Sequence, residues 1–323
     1  GGVARGRWEI REGDCLESLR AMPAGSVQCC VTSPPYWGLR NYGHEDQLGM
    51  EETPDLFVAN MVKVFAEVKR VLRDDGTLWL NIGDSYGTGS MGRNDADRDI
   101  GGRGGNKLGS GNPGVQGAVK LVSGLKPKDL VGIPWLLAFA LRADGWYLRS
   151  EIIWAKPNPM PESVTDRPTK AHEQVFLLTK SPRYFYDAPA IAEASVIGAG
   201  AVRNITPGDK GADASRCDGD RFGVVNDGTR NKRTVWSVPS APFKGAHFAT
   251  FPPKLIEPMV LAGSKPGDTV LDPFSGSGTT GMVALRHDRS YIGLELNPEY
   301  AELSRNRIRD DAPLLNTHLE AAA

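Results

Sequence analysis

The chain has 323 residues, 40% hydrophobic and 24% charged, with a formal net charge of −1; it has room for a sizeable core and leaves any polyanion contact to local basic patches. No run of about 18 apolar residues and no signal-peptide pattern occurs, so no membrane span is expected and a cytoplasmic protein of bacterial, archaeal or phage origin is. Cys15, Cys29, Cys30 and Cys217 have the spacing of neither a disulfide framework nor a zinc site, and the five histidines show no metal spacing, so reduced thiols and no metal are expected.

"RWEIREGD" alternates like a short strand that ends at Gly13-Asp14, and "CLESLRAM" reads as one or two helical turns. "SVQCCVT" is an apolar run of strand length, as for a strand buried on both faces. It stops at Ser33-Pro34-Pro35-Tyr36-Trp37, where adjacent prolines can continue neither a ladder nor a helix. "TPDLFVANMVKVFAEVKRVLRDDG" is an amphipathic helix. Phe57, Met61, Val64, Phe65, Val68 and Leu72 recur at helical spacing, and Asp74-Asp75-Gly76 closes it. "TLWLNIGD" reads as a strand, "LVGIPWLLAFALRADG" as a helix, and "WYLRSEIIWAK" and "EQVFLLTK" as strands. "DTVLDPF", "GTTGMVALRHD", "SYIGLEL" and "PEYAELSRNRI" then read as strand, helix, strand and helix. This alternation predicts an α/β sheet with helices on both faces. Two stretches break the rhythm. Residues 85–127 are Gly-rich and read as a loop. Residues 187–246 have no sustained period and read as a small insertion.

"VLDPFSGSGTTG" matches G-x-G-x-x-G at Gly276, Gly278 and Gly281, after a strand and opening a helix. Glycines let backbone approach a ligand closely, and the amides of a helix N-terminus face it. Glu295 ends the next strand, where an acidic residue grips a ribose diol. A nucleoside-containing ligand follows. An NAD(P)-dependent oxidoreductase is one reading, but it needs further βαβ units, and only about 30 residues follow Glu295. Asp272 and Phe274 suit a cationic ligand better than a pyrophosphate. S-adenosylmethionine is therefore the favoured cofactor, with S-adenosylhomocysteine as product.

In an open α/β sheet, ligands sit beyond the carboxyl ends of the strands, where Ser33-Pro34-Pro35-Tyr36 also lies. The exocyclic amine of cytosine or adenine is a poor nucleophile because its lone pair is delocalised into the ring. Acceptors facing both of its N–H groups free that pair. The Ser33 hydroxyl and the Pro34 carbonyl are candidates for those acceptors, and the prolines hold the carbonyl rigid. Tyr36 is placed to stack on the base, with Trp37 near the pocket mouth. This is electrostatic pre-organisation without a covalent intermediate. No cysteine follows a proline, which speaks against attack at C5.

With these blocks, and with "GDCLESL", "GTLWLNIGDSY", "IIWAKPNPMPES", "HFATFPPKLIEPMV" and "GLELNPEYAELSRNRI" in order, the chain resembles the amino-group DNA methyltransferases of the permuted β order. The resemblance implies a circularly permuted, Rossmann-like sheet of seven mostly parallel strands with one antiparallel. It implies that Asp272, Pro273, Phe274, Ser275, Gly276, Ser277, Gly278, Thr279 and Thr280 cradle the methionine part of the cofactor. Glu295 would hold the ribose, Asp14 with Cys15 would contact the adenine, and Phe251-Pro252 would close the pocket. Lys156-Pro157-Asn158 would lie near the target base. Residues 1–186 would form the catalytic half, 187–246 target recognition, 247–312 the cofactor half and 313–323 a tail. Ser33 at the first motif position implies cytosine N4, with adenine N6 as the alternative.

A base within a duplex must be flipped out to react. Arg93 and Arg103 in the Gly-rich loop, and Arg230, Lys232 and Arg233 in "RNKRTVW", are the candidate DNA contacts. The expected partners are double-stranded DNA and a cognate restriction endonuclease, with the chain a monomer or homodimer. An RNA methyltransferase, or a binding protein that keeps only the cofactor fold, would carry similar motifs.

Overall fold

Every residue of strand β2 (Val27–Thr32) is buried, as a parallel strand covered by helices on both faces requires. The computed structural model describes residues 7–38, 47–87, 125–195, 228–240 and 251–311, with the short strands at 202–203, 224–225 and 317–318. Around β2 lie β1 (Arg7–Glu12), β3 (Leu72–Ile82), β4 (Tyr147–Ala155), β5 (His172–Thr179), β10 (Val235–Ser237), β11 (Thr269–Asp272), β12 (Ser290–Glu295) and β13 (Thr317–His318). They form one sheet in the order β10-β4-β5-β3-β2-β11-β12-β1-β13. β5 is antiparallel to β3 and β4, and the other pairings are parallel. Seven strands were expected. The short edge strands β10 and β13 raise the count to nine. β11 comes late in the chain yet lies beside the central strand β2.

The helices are α1 (Cys15–Ala21), α2 (Pro54–Val71), α3 (Ile133–Ala143), α4 (Pro253–Gly263), α5 (Thr279–Arg286) and α6 (Pro298–Asp311). In α2, Pro54 opens the first turn, the Thr53 side chain accepts from the Leu56 amide, and Phe57, Met61, Val64, Phe65, Val68 and Val71 are buried. Asp74-Asp75-Gly76 does not close this helix. The chain turns straight into β3 at Leu72, and the β2–β3 register slips between Val27 and Cys29, so that stretch bulges from the ladder. Helix α4 carries Pro258 in its interior, a residue that ordinarily breaks a helix. Burial of Leu255, Ile256, Met259 and Val260 offsets the lost hydrogen bond. At its C-terminal end, a Cβ on Gly263 would lie 2.6 Å from Cys29 Sγ. The C-terminal end of α4 therefore packs closely on β2 and β3.

Asp187–Arg233 forms a separate compact unit. In it, β6 (Glu193–Ala194) pairs with β9 (Thr229–Arg230), and β7 (Val202–Arg203) pairs with β8 (Val224–Val225). The sheet takes the chain back at β10, where Trp236 pairs in register with Trp154. The insertion read from sequence extends past this point to 246, and residues 241–250 lie outside the described residues.

Candidate active site

Parallel strands deliver their carboxyl ends to one rim. Gly13-Asp14 follows β1 there, Ser33 follows β2, Gly83-Asp84 β3, Lys156 β4, Pro273 β11 and Leu296 β12. Because β5 is antiparallel, its first residues, His172 to Gln174, reach the same rim. Beside them Asp84 caps α3 from a distance, accepting from the amides of Gly132 at 2.9 Å and Ile133 at 3.0 Å.

The glycine loop is built from below. Asp272 is 1% exposed, and its carboxylate accepts from the hydroxyls of Thr32 at 2.6 Å and Thr280 at 2.8 Å and from the Phe274 amide at 3.1 Å. Burial pushes its pKa up to about 6 against those three donors. This overturns the expectation that Asp272 meets a cationic ligand. Both oxygens are turned into the protein, and Asp272 instead ties the ends of β2 and β11 to the start of α5. Pro273, Ser275, Ser277, Gly278, Thr279 and Thr280 are buried too, so between 272 and 280 only Phe274 and Gly276 reach the surface. From the far side, the Arg307 guanidinium donates to the carbonyl and hydroxyl of Ser277, each at 2.6 Å.

Each glycine has its own reason. Gly276 has φ +52° with no atom closer than 3.9 Å to a Cβ site, so backbone is offered to open space. Gly278 has φ +74°, and a Cβ there would strike Ser304 Oγ at 2.3 Å. Gly281 lets α5 lie against Tyr291, whose ring a Cβ would meet at 2.5 Å. Glu295 closes the loop by accepting from the amides of Gly276 at 2.8 Å and Asn297 at 3.0 Å. Burial pushes its pKa up to about 7. Asp14 lies next along the rim, since Gly13 donates to the Glu295 carbonyl at 2.9 Å. Its carboxylate is also the N-cap of α1, bonded to the Glu17 amide at 2.9 Å. Cys15 is buried, and burial pushes its thiol up to about 12.

The Thr32–Asp272 bond sets Ser33 beside this loop. Ser33 is half-buried, and its hydroxyl has no hydrogen-bond partner among the described residues. Pro34 is buried, while Pro35 and Tyr36 are half-buried. The Tyr36 ring lies across Gly83, where a Cβ would come within 2.6 Å of Cε2, and its hydroxyl donates to Glu173 Oε2 at 2.6 Å. Glu173, which the motifs did not single out, also accepts from Asn81 Nδ2 at 3.2 Å and from the Lys156 ammonium.

Other expected contacts fall elsewhere. Trp37 is 2% exposed in the core with Nε1 bonded to the Glu51 carbonyl, so it is not at a pocket mouth. Asn158 spends both ends of its amide on the Ser240 backbone, at 2.9 and 3.1 Å, and clamps that loop. Arg230 and Arg233 both pair with Glu193 within their own unit, which halves their charge excess. Lys232, beside them, has a partner as well. Phe251 is half-buried ahead of α4. Arg93 and Arg103, Cys217 and most of the Gly-rich loop lie outside the described residues. Cys29 and Cys30 are fully buried, with thiols raised by that burial, Cys29 to about 12. No group of metal-ligating side chains occurs among the described residues, nor is any described helix long and apolar enough to cross a membrane.

The donor set fits S-adenosylmethionine: open backbone at Gly276, the Phe274 side chain and a nearly buried carboxylate at Glu295 share one rim with Asp14. A family model described as DNA methylase matches residues 27–306. The Type II methyltransferase M.Cfr9I of Citrobacter freundii is 51% identical over 302 residues, 93% of this chain and 87% of that one. M.SmaI of Serratia marcescens is 46% identical over 300 residues, 93% of this chain and 90% of that one. Among solved structures, the PvuII cytosine-N4-specific DNA methyltransferase has a TM-score of 0.62 at 18% identity, over 99% of this chain and 97% of that one. A Thermus thermophilus protein complexed with S-adenosyl-L-methionine has a TM-score of 0.58 at 24% identity, over 98% of this chain and 100% of that one. These two likenesses speak for a shared Rossmann-like fold. The chain belongs to the N6/N4 DNA methylase family and is an S-adenosylmethionine-dependent methyltransferase acting on an exocyclic amine of a DNA base.

Proposed function

We propose that the amine is N4 of cytosine, extruded from duplex DNA at a specific sequence. The observation that carries this reading is Ser33 at the corner, held beside the cofactor loop by the buried Thr32–Asp272 bond at 2.6 Å. The cofactor supplies a methyl group made electrophilic by its sulfonium. Ser33 Oγ and the Pro34 carbonyl accept hydrogen bonds from the amine and localise its lone pair, while Tyr36 faces the base plane. A hydroxyl is a weaker acceptor than a carboxylate, so more of the task falls to the rigid Pro34 carbonyl; the choice of cytosine rests on serine at the first position of the motif. Phe274, Gly276 and Glu295 hold the cofactor, with Asp14 and Phe251 at its adenine end. The late arrival of β11 beside the central strand supports a circular permutation. Asp187–Arg233 would read the DNA sequence. The type II designation of the relatives supports a role in a restriction–modification pair.

The test is methyl transfer to mixed duplex DNA, followed by digestion and nucleoside mass spectrometry. N4-methylcytosine is expected. N6-methyladenine instead would overturn the base assignment while keeping the family. Ser33→Ala is expected to slow transfer on the order of 10²-fold with cofactor affinity unchanged. An equal loss of cofactor binding would contradict the placement of the corner.

A further inference from the structure

We propose that Glu173 is a positioning residue for methyl transfer, setting the Tyr36 ring where it stacks on the extruded base. The inference rests on the reading of Ser33–Tyr36 as the acceptor corner. Glu173 is the second residue of β5, and the reversed direction of that strand brings its start to the functional rim. Three separate segments converge on its carboxylate. Tyr36, from the loop after β2, donates to Oε2 at 2.6 Å. Asn81, from β3, donates to the same oxygen at 3.2 Å and to the Gln174 carbonyl at 3.1 Å. Lys156, just after β4, donates to Oε1. The Glu173 side chain is only 15% exposed, so these contacts are well shielded from water.

The consequences for Tyr36 are mechanical. The backbone at Gly83 supports its ring, and any side chain there would displace it. Its hydroxyl is held by a charge-assisted bond, stronger than a neutral one. The partner charge is held in turn, because the Lys156 ammonium lies 4.2 Å from the Trp154 ring centroid while pairing with Glu173. A ring set in this way loses little freedom when a base docks, and a reacting base held in one orientation reacts faster than one that wanders. Lys156 then acts as the counter-charge of Glu173, which accounts for a lysine at that strand end without any contact to the base.

A double-mutant cycle in single-turnover transfer tests this, on a duplex carrying the site mapped from DNA that the enzyme itself has methylated. Glu173→Ala and Tyr36→Phe are each expected to slow transfer about 10-fold, the value of one good hydrogen bond. The double variant should be no slower than either single one, because both remove the same bond. Glu173→Gln, which keeps one acceptor, should fall within about 3-fold of the parent, and it carries the cycle if Glu173→Ala melts early. Cofactor affinity should be the same in every variant. Additive losses, about 100-fold in the double variant, would overturn the inference, since Glu173 would then act other than through the Tyr36 hydroxyl. Tyr36→Ala separates this failure from failure of the corner itself. Transfer at the parent rate without the ring would overturn both readings, whereas an inactive Tyr36→Ala beside an additive cycle would overturn only the role of Glu173.

Discussion

If Glu295 holds the ribose, as proposed, its charge governs cofactor binding. Burial raises its carboxyl to about 7, even though the amides of Asn297 and Gly276 favour the ionised form. Its folded pKa therefore lies above the ordinary 4.5. The protonated form favours the folded state at low pH, and that contribution is lost as pH rises from about 4.5 through about 7. A ribose diol donates to the carboxylate and favours its ionised form. Cofactor binding should therefore release a proton near neutrality, and Kd should fall as pH rises from about 6 to about 8. Calorimetry in buffers of different ionisation enthalpy reads the proton directly. The cofactor's own amine also titrates in this range, so the decisive comparison is Glu295→Gln, in which the protein's share of the release should vanish. An identical profile in that variant would remove Glu295 from the ribose site.

At the scale of the element, the strand–loop–helix unit β11–α5 separates two kinds of glycine. Gly276→Ala puts a Cβ into open space on a left-handed backbone, a strain of about 1–2 kcal/mol, at the proposed cofactor contact. Gly281→Ala drives a methyl into the Tyr291 ring and Ile308, away from the ligand, an overpacking of about 1–3 kcal/mol. Thermal melts with and without S-adenosylmethionine should tell them apart. Gly276→Ala should lose most of the ligand-induced rise in Tm, whereas Gly281→Ala should start from a lower Tm and keep that rise. Similar behaviour in both variants would mean that the loop responds as one rigid body. Of the elements themselves, β2 and α2 could be read directly, because their burial follows the local pattern of apolar residues. Helix α4 and the bulge at Arg73–Gly76 could not, because packing overrides a helix-breaking proline in one and a turn-like Asp-Asp-Gly in the other.

At the scale of the whole molecule, the chain splits into two compact units, one holding the large sheet and the other Asp187–Arg233. If that unit reads sequence, replacing residues 187–233 with a flexible Gly/Ser linker should leave cofactor binding intact and abolish site-specific methylation. Calorimetry and sequencing of the methylated DNA check the two halves of that expectation. Persistent methylation of one site would move recognition to the main unit.

The amino-acid sequence by itself determined the α/β class, the glycine loop, the Pro-Pro corner and the acidic residue at Glu295. These depend on local rules: apolar period, backbone freedom at glycine and its absence at proline. What only the tertiary structure decided are the partners. Asp272 reads as a ligand contact until Thr32 and Thr280 are seen to take both its oxygens. Trp37 reads as a pocket aromatic until it is found in the core. Glu173 belongs to none of the motifs, and its place at the rim follows only from the reversed direction of β5, since strand direction has no local signature and is chosen by pairing far along the chain.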